Sequence, residues 1–200
     1  MGYQASPKEI AALRGRTGAG MMDCKKALEE AGGDMEKAVD LLRQKGIAKG
    51  EKRGGRSASE GVVGHYVHFN GRVGVLIELN CETDFVARTD DFQALAKDLA
   101  MHIASANPIA VKAEDVPVEL VEREKKIFEA QVAESGKPET VRAKMVAGKL
   151  KKFFEERVLL EQPFVKDDKQ KVGDLVKALS GKTGENVVVR RFVRLELGAE

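Results

Sequence analysis

Histidines, cysteines and glycine-rich turns are the residues of this chain most capable of chemistry, and their spacing argues against each use. His65, His68 and His102 are its three histidines. His65 and His68 differ by three positions in a stretch that alternates as a strand, so they point to opposite faces and cannot jointly hold a metal ion. His102 falls on an apolar-leaning helical pattern, where a satisfied core or edge histidine is the simpler reading. Cys24 and Cys81 lack Cys-x-x-Cys spacing, which argues against a zinc site or a disulfide framework and makes a reducing cytosol the default. Gly18-Ala19-Gly20 copies part of a dinucleotide-binding turn but follows a helix where a strand is required. Gly181-Lys182-Thr183 ends like a phosphate loop, yet Val176 stands where its first glycine belongs. Helix caps and turns account for both. No nucleophile, base and orienting group occur as a set, so no catalytic residue, metal or cofactor is expected.

Thr83-Asp84-Phe85-Val86 calls for a different chemistry. A polar pair is followed by a large apolar pair at the end of an expected strand, with no evident turn role. Two readings are open. Phe85 tucks into the protein's own core, or it stays exposed as an anchor that fills a partner's pocket, returning roughly 1.5–3 kcal/mol. Composition alone leans to the first.

The elements that must carry these residues are legible from caps and periodicity. Ser6-Pro7-Lys8-Glu9 combines a capping box with a proline at the first helical position. Ile10 and Leu13 follow at helical spacing until Thr17–Gly20 breaks the helix. A second helix carries Met22, Ala27, Leu28 and Ala31 and stops at Gly32-Gly33; Asp34 caps a third, with Gly46 after its end. Residues 47–60 are basic and rich in Gly and Ser, which reads as a flexible linker or frayed helix end. Residues 61–80 read as a β-hairpin about a two-residue Asn70-Gly71 turn, with Leu76 suggesting a second strand buried on both faces. Helices follow over Phe92–Ile103, from Pro117 to Ser135-Gly136, from Lys137 with Val141, Met145, Leu150, Phe153 and Phe154 towards a core, and around Val172–Leu179. Residues 186–197 alternate as a third strand, with Arg191 the exception on the apolar face. Segregated strands and helices point to an α+β fold: a three-helix module at 1–46, the linker at 47–60, and a core at 61–200 in which helices pack on a small antiparallel three-stranded sheet.

Bulk numbers narrow the partner. Apolar residues at 42% and charged residues at 33% suit a core with a solvated surface, and a net charge of +2 gives no global pull toward nucleic acid. No run approaches the roughly 20 apolar residues a membrane span needs, and the first residues do not read as a signal peptide. Only Lys49, Lys52, Arg53 and Arg56 form a local basic cluster, so an RNA- or ribosome-associated binding module is the alternative to a protein-binding factor.

Leu13-Arg14-Gly15-Arg16-Thr17-Gly18-Ala19-Gly20-Met21-Met22-Asp23-Cys24-Lys25-Lys26-Ala27-Leu28 resembles the N-terminal signature of bacterial elongation factor Ts. Glu78–Arg88 resembles the family's second signature, and Gln162-Pro163-Phe164-Val165 and Arg190–Gly198 resemble its C-terminal part. The likeness implies a ubiquitin-associated-type (UBA-like) module at the N-terminus that docks on elongation factor Tu through Leu13, Arg14, Thr17, Gly18, Ala19, Gly20, Met21 and Met22. It implies that Thr83, Asp84, Phe85 and Val86 reach that partner's Mg²⁺ region and promote GDP release, so that GTP rebinds. Longer members carry two related core subdomains and an inserted helical hairpin. A single subdomain here resembles the short form, which implies a homodimer that pairs sheets and binds two copies of the partner. The family's setting is the cytoplasm, with no cofactor, membrane, small-molecule substrate or direct nucleic-acid contact implied.

Overall fold

A computed structural model describes residues 3–199. Helices α1 (Pro7–Thr17), α2 (Met21–Glu30) and α3 (Met35–Glu51) precede strands β1 (Glu60–Val67) and β2 (Val73–Cys81). A single turn, α4 (Asp84–Ala87), leads into α5 (Asp90–Ala106), α6 (Val118–Ala133) and α7 (Glu139–Arg157). Short strands β3 (Pro163–Phe164) and β4 (Asp167–Lys171), helix α8 (Val172–Thr183) and strand β5 (Val188–Glu196) complete the order. The architecture is α+β, and the chain divides into two compact units. One takes in the chain up to Gly61 with Asn80–Phe92 and Leu175–Val188; the other takes in Val62–Leu79, Gln93–Asp174 and the residues from Val189 on.

In the first unit, local signals set the three helices. Ser6 Oγ accepts the Glu9 amide at 3.3 Å while the Glu9 carboxylate accepts the Ser6 amide at 2.8 Å. Asp34 Oδ1 accepts the amides of Glu36 and Lys37, each at 3.1 Å. Ile10, Leu13, Cys24, Ala27, Leu28, Ala38 and Leu42 form the core between them, which short helices need to be stable. The expected end of the third helix at Gly46 is corrected: α3 runs on to Glu51, into the stretch read as linker. The physical reason is tertiary. A Cβ on Gly50 would stand 2.1 Å from the Lys177 carbonyl oxygen, and one on Gly181 2.1 Å from that of Gly46. These glycines are points of backbone contact between α3 and α8, so Gly181 is interior to a helix and not part of a turn.

In the second unit the sheet order is β1-β2-β5. The Leu197 amide donates to the Arg72 carbonyl at 2.8 Å and Arg191 pairs with Glu78 at 2.7 Å, as antiparallel strands require. The hairpin turn differs from the expected two-residue form. Val73 O accepts from His68 N–H and His68 O from Gly71 N–H, leaving four residues in the loop, and of Asn70 and Gly71 only Gly71 has positive φ (68°). The Asn70 side chain instead accepts the Arg72 amide at 3.0 Å, an Asx-type contact that closes the wider loop. One sheet face packs on α5: a Cβ on Gly64 would meet Ala96 and Ile77, and Arg194 donates to the Ala104 carbonyl. The other face is open. Leu76, expected on a strand buried on both sides, is 53% exposed, because its neighbours Val75 and Ile77 take the helix-facing positions.

Helices α6 and α7 pair, with Val132 and Val146 buried and Lys149 over the Phe128 ring. Val141, read as core-facing, is exposed. His102 is buried and satisfied: Nε2 meets Gln162 Oε1 at 2.9 Å, and Nδ1 accepts the Val165 amide at 3.2 Å. Burial holds its pKa below the usual histidine value, as desolvation of the charged form requires.

Candidate functional site

Strand β2 ends at buried Cys81, and the next residues are pinned rather than loose. Cys81 Sγ lies 3.1 Å from the Thr83 carbonyl oxygen. Burial, and after it the Glu185 carboxylate, push the Cys81 thiol up to about 11, so it is no nucleophile at neutral pH. Glu185 Oε2 accepts the amides of Glu82 and Thr83 at 3.1 and 3.0 Å, and Oε1 accepts the Thr83 hydroxyl at 2.6 Å. The Thr83 hydroxyl oxygen in turn accepts the Val86 amide at 3.4 Å and caps α4.

That single turn decides the fate of Phe85. Ala87 faces inward, 5% exposed; Phe85, two positions earlier, is 80% exposed. Two steps of a helix rotate a side chain by about 200°, so one of the pair must face outward. The reading that tucked Phe85 into the core is corrected. Asp84 pairs with Arg88 at 2.8 Å on the surface, and Val86 is half-buried. Surface pairs of this kind contribute about 0–1 kcal/mol, so Asp84 can exchange Arg88 for another donor at little cost.

The N-terminal candidates divide by burial. Leu13 is fully buried among Ile10, Cys24 and Leu28, so it is corrected from a contact residue to a core residue of the module. Gly18 closes α1 at φ 65°, its amide donating to the Arg14 carbonyl at 2.7 Å. Thr17 Oγ1 donates to the Leu13 carbonyl and accepts the Ala19 amide, which shapes the link to Gly20 at the start of α2. Arg14 is exposed, as are Met21 and Met22, at 46% and 64% for the methionines. Adaptable, polarizable Met side chains suit a docking surface.

Both segments belong to the same compact unit, and the end of α8 reaches both. A Cβ on Gly18 would stand 2.6 Å from Lys182 Nζ, which pairs with Asp91 at 2.7 Å, while Glu185 holds Thr83. Sequence reasoning missed Glu185 and its neighbours; 102 positions separate it from Thr83, and no local pattern joins them. Among the described residues, no group of three His, Cys, Asp or Glu is placed to hold a metal ion. No described helix is long and apolar enough to cross a membrane.

Comparison with known proteins shows the family. The family described as Elongation factor TS matches residues 51–199. An elongation factor Ts of Carboxydothermus hydrogenoformans is 59% identical over 93% of this chain and 86% of its own length. One of Thermotoga maritima is 57% identical over 94% of each chain, and one of Solidesulfovibrio magneticus 54% identical over 98% of each. Fold and likeness together define a translation elongation factor. The chain belongs to the elongation factor Ts family.

Proposed function

We propose that this chain is a guanine-nucleotide exchange factor that docks on elongation factor Tu bound to GDP and speeds GDP release by disturbing the Mg²⁺ site, so that GTP can rebind. One observation carries the reading: Phe85 projects, 80% exposed, from a turn whose base is hydrogen-bonded in place. A rigid aromatic held clear of its own core is fitted to enter a partner. Mg²⁺ demands near-ideal octahedral oxygen geometry, so displacing one partner loop by an ångström or so weakens the metal and the nucleotide it bridges. The coupling is reciprocal, and a 100-fold weakening of GDP needs about 2.7 kcal/mol. Met21 and Met22, with Arg14 and the Thr17–Gly20 loop, supply the docking surface, and the chain itself performs no covalent chemistry. The setting is the cytoplasm, and the working form is a homodimer that pairs sheet faces and binds two copies of the partner.

The alternative, RNA binding through residues 47–60, has lost much of its support. Arg53 donates to the Gly184 and Lys49 carbonyls, Arg56 pairs with Glu82, and Lys49 pairs with Asp23. Of the four expected phosphate ligands three are engaged by the protein, Arg53 by two backbone carbonyls and Lys49 and Arg56 by carboxylates.

Stopped-flow release of a fluorescent GDP from elongation factor Tu tests the proposal. Micromolar protein should accelerate release, and Phe85→Ala should cut the maximal rate by about tenfold or more, the cost of one anchor of roughly 1.5–3 kcal/mol, while its thermal melt stays as in the wild type. Wild-type exchange by that variant would rule out the wedge.

A further inference from the structure

We propose that Glu185 is a positioning residue that sets the direction of Phe85; the proposal rests on the reading of Thr83–Val86 as the working edge. Its carboxylate takes three donors from two consecutive residues: the Glu82 amide, the Thr83 amide and the Thr83 hydroxyl. The hydroxyl bond sets the rest. Thr83 has one hydroxyl proton, and it goes to Glu185 Oε1, so its lone pairs are left for the Val86 amide that opens α4. The orientation of the turn, and with it the outward direction of Phe85, follows from where that proton points.

Glu185 is itself held. Gly184, at φ 83°, turns the chain between α8 and β5, and its carbonyl accepts Arg53 Nε–H at 2.7 Å. The Asn186 amide donates to the Glu82 carboxylate at 2.7 Å, Arg56 Nη1 lies 3.6 Å from the same oxygen, and Asn186 Nδ2 donates to the Arg56 carbonyl at 2.7 Å. Glu82 and Glu185 thus each accept from the other's segment, in a reciprocal clasp braced by two arginines of the basic stretch. The consequence is preorganisation. A side chain already aimed loses less entropy when it inserts within the docked complex, so the gain falls on the release step and not on docking. The clasp also explains the residue type. A carboxylate accepts on both oxygens, whereas glutamine turns a donor toward either the amides or the hydroxyl.

The test is a double-mutant cycle in the GDP-release assay, run on the full chain with Glu185→Gln, Phe85→Ala and the pair. Maximal rate and half-saturating concentration are measured separately. Glu185→Gln should lower the maximal rate by about tenfold, the equivalent of one lost charge-assisted hydrogen bond, at an unchanged half-saturating concentration. The double variant should be no slower than Phe85→Ala, because Glu185 acts through Phe85. Hydrogen exchange supplies a second readout: the Glu82, Thr83 and Val86 amides should exchange faster in Glu185→Gln while those of α1 to α3 keep their protection. Losses that add in the double variant, or a change confined to half-saturation, would overturn the role assigned to Glu185. Should Phe85→Ala alone keep the wild-type maximal rate, the edge reading itself fails, a result distinct from additivity.

Discussion

At the first turn of α1, Glu9 shows how much a side chain depends on its donors. The Ser6 hydroxyl, then the Tyr3 hydroxyl and the Ser6 amide, hold its carboxyl down from the ordinary 4.5 to about 2. The folded state binds this proton less readily than the unfolded chain, so the stabilisation is complete above pH 4.5 and is lost as pH falls from there toward 2. The wild type should lose some melting temperature across that window, an effect that solvent screening at the surface keeps small, and Glu9→Gln should flatten the slope, as followed by far-UV circular dichroism. This capping box was legible because its partners are three residues apart. The clasp on Thr83 is built of the same bonds but was invisible, since its partners lie 102 positions apart. Phe85 falls between these cases: composition offered the core as its place, and only the phase of a one-turn helix sends it outward.

Among the elements, α1, α2 and the start of α3 could be read from the sequence because caps and glycine stops act locally. The end of α3 could not. Gly46 and Gly50 look like breakers in composition, yet both lie within α3, and at Gly50 the fold uses the lack of a side chain where the helix meets the backbone of α8. Gly50→Ala should therefore cost about 1–3 kcal/mol or more in urea unfolding through overpacking. Gly148 in α7 is the internal control. An added Cβ there meets nothing within 4 Å, so Gly148→Ala should be neutral or stabilise by up to about 1 kcal/mol from helix propensity. A loss at Gly148 matching that at Gly50 would remove backbone overpacking as the cause at Gly50, since helix propensity favours alanine at both sites. The hairpin turn and β3–β4 escaped reading for a related reason: loop width and a two-residue strand are set by partner strands, not by local residue preference.

For the whole molecule, the sheet poses the remaining physical question. One face is covered by α5, while Val63, Val67, Leu76, Val193 and Leu195 on the other are each more than half exposed, with Leu197 just beyond the strand end. Contiguous apolar surface of this kind is uncommon on a monomer and marks a contact site. A second copy of the chain is the occupant proposed here, because a two-fold axis lets one patch cover itself and close the assembly. The Arg191–Glu78 pair on the same face gives each charge a partner within its own chain, so burial by a second copy need not strand either one. Sedimentation equilibrium at micromolar concentration should then return twice the 21.8 kDa of one chain. Leu195→Glu sets a carboxylate in the apolar patch that such an interface would bury and should shift the species to a monomer, with the α1–α3 melt unchanged. The same variant separates the roles of edge and dimer. If the monomer still accelerates GDP release at the wild-type maximal rate, the Thr83–Val86 edge works alone; if the rate falls without a change in folding, the edge needs the second chain. A wild-type protein that sediments as a monomer would leave the exposed face without its proposed cover and remove the homodimer from the mechanism.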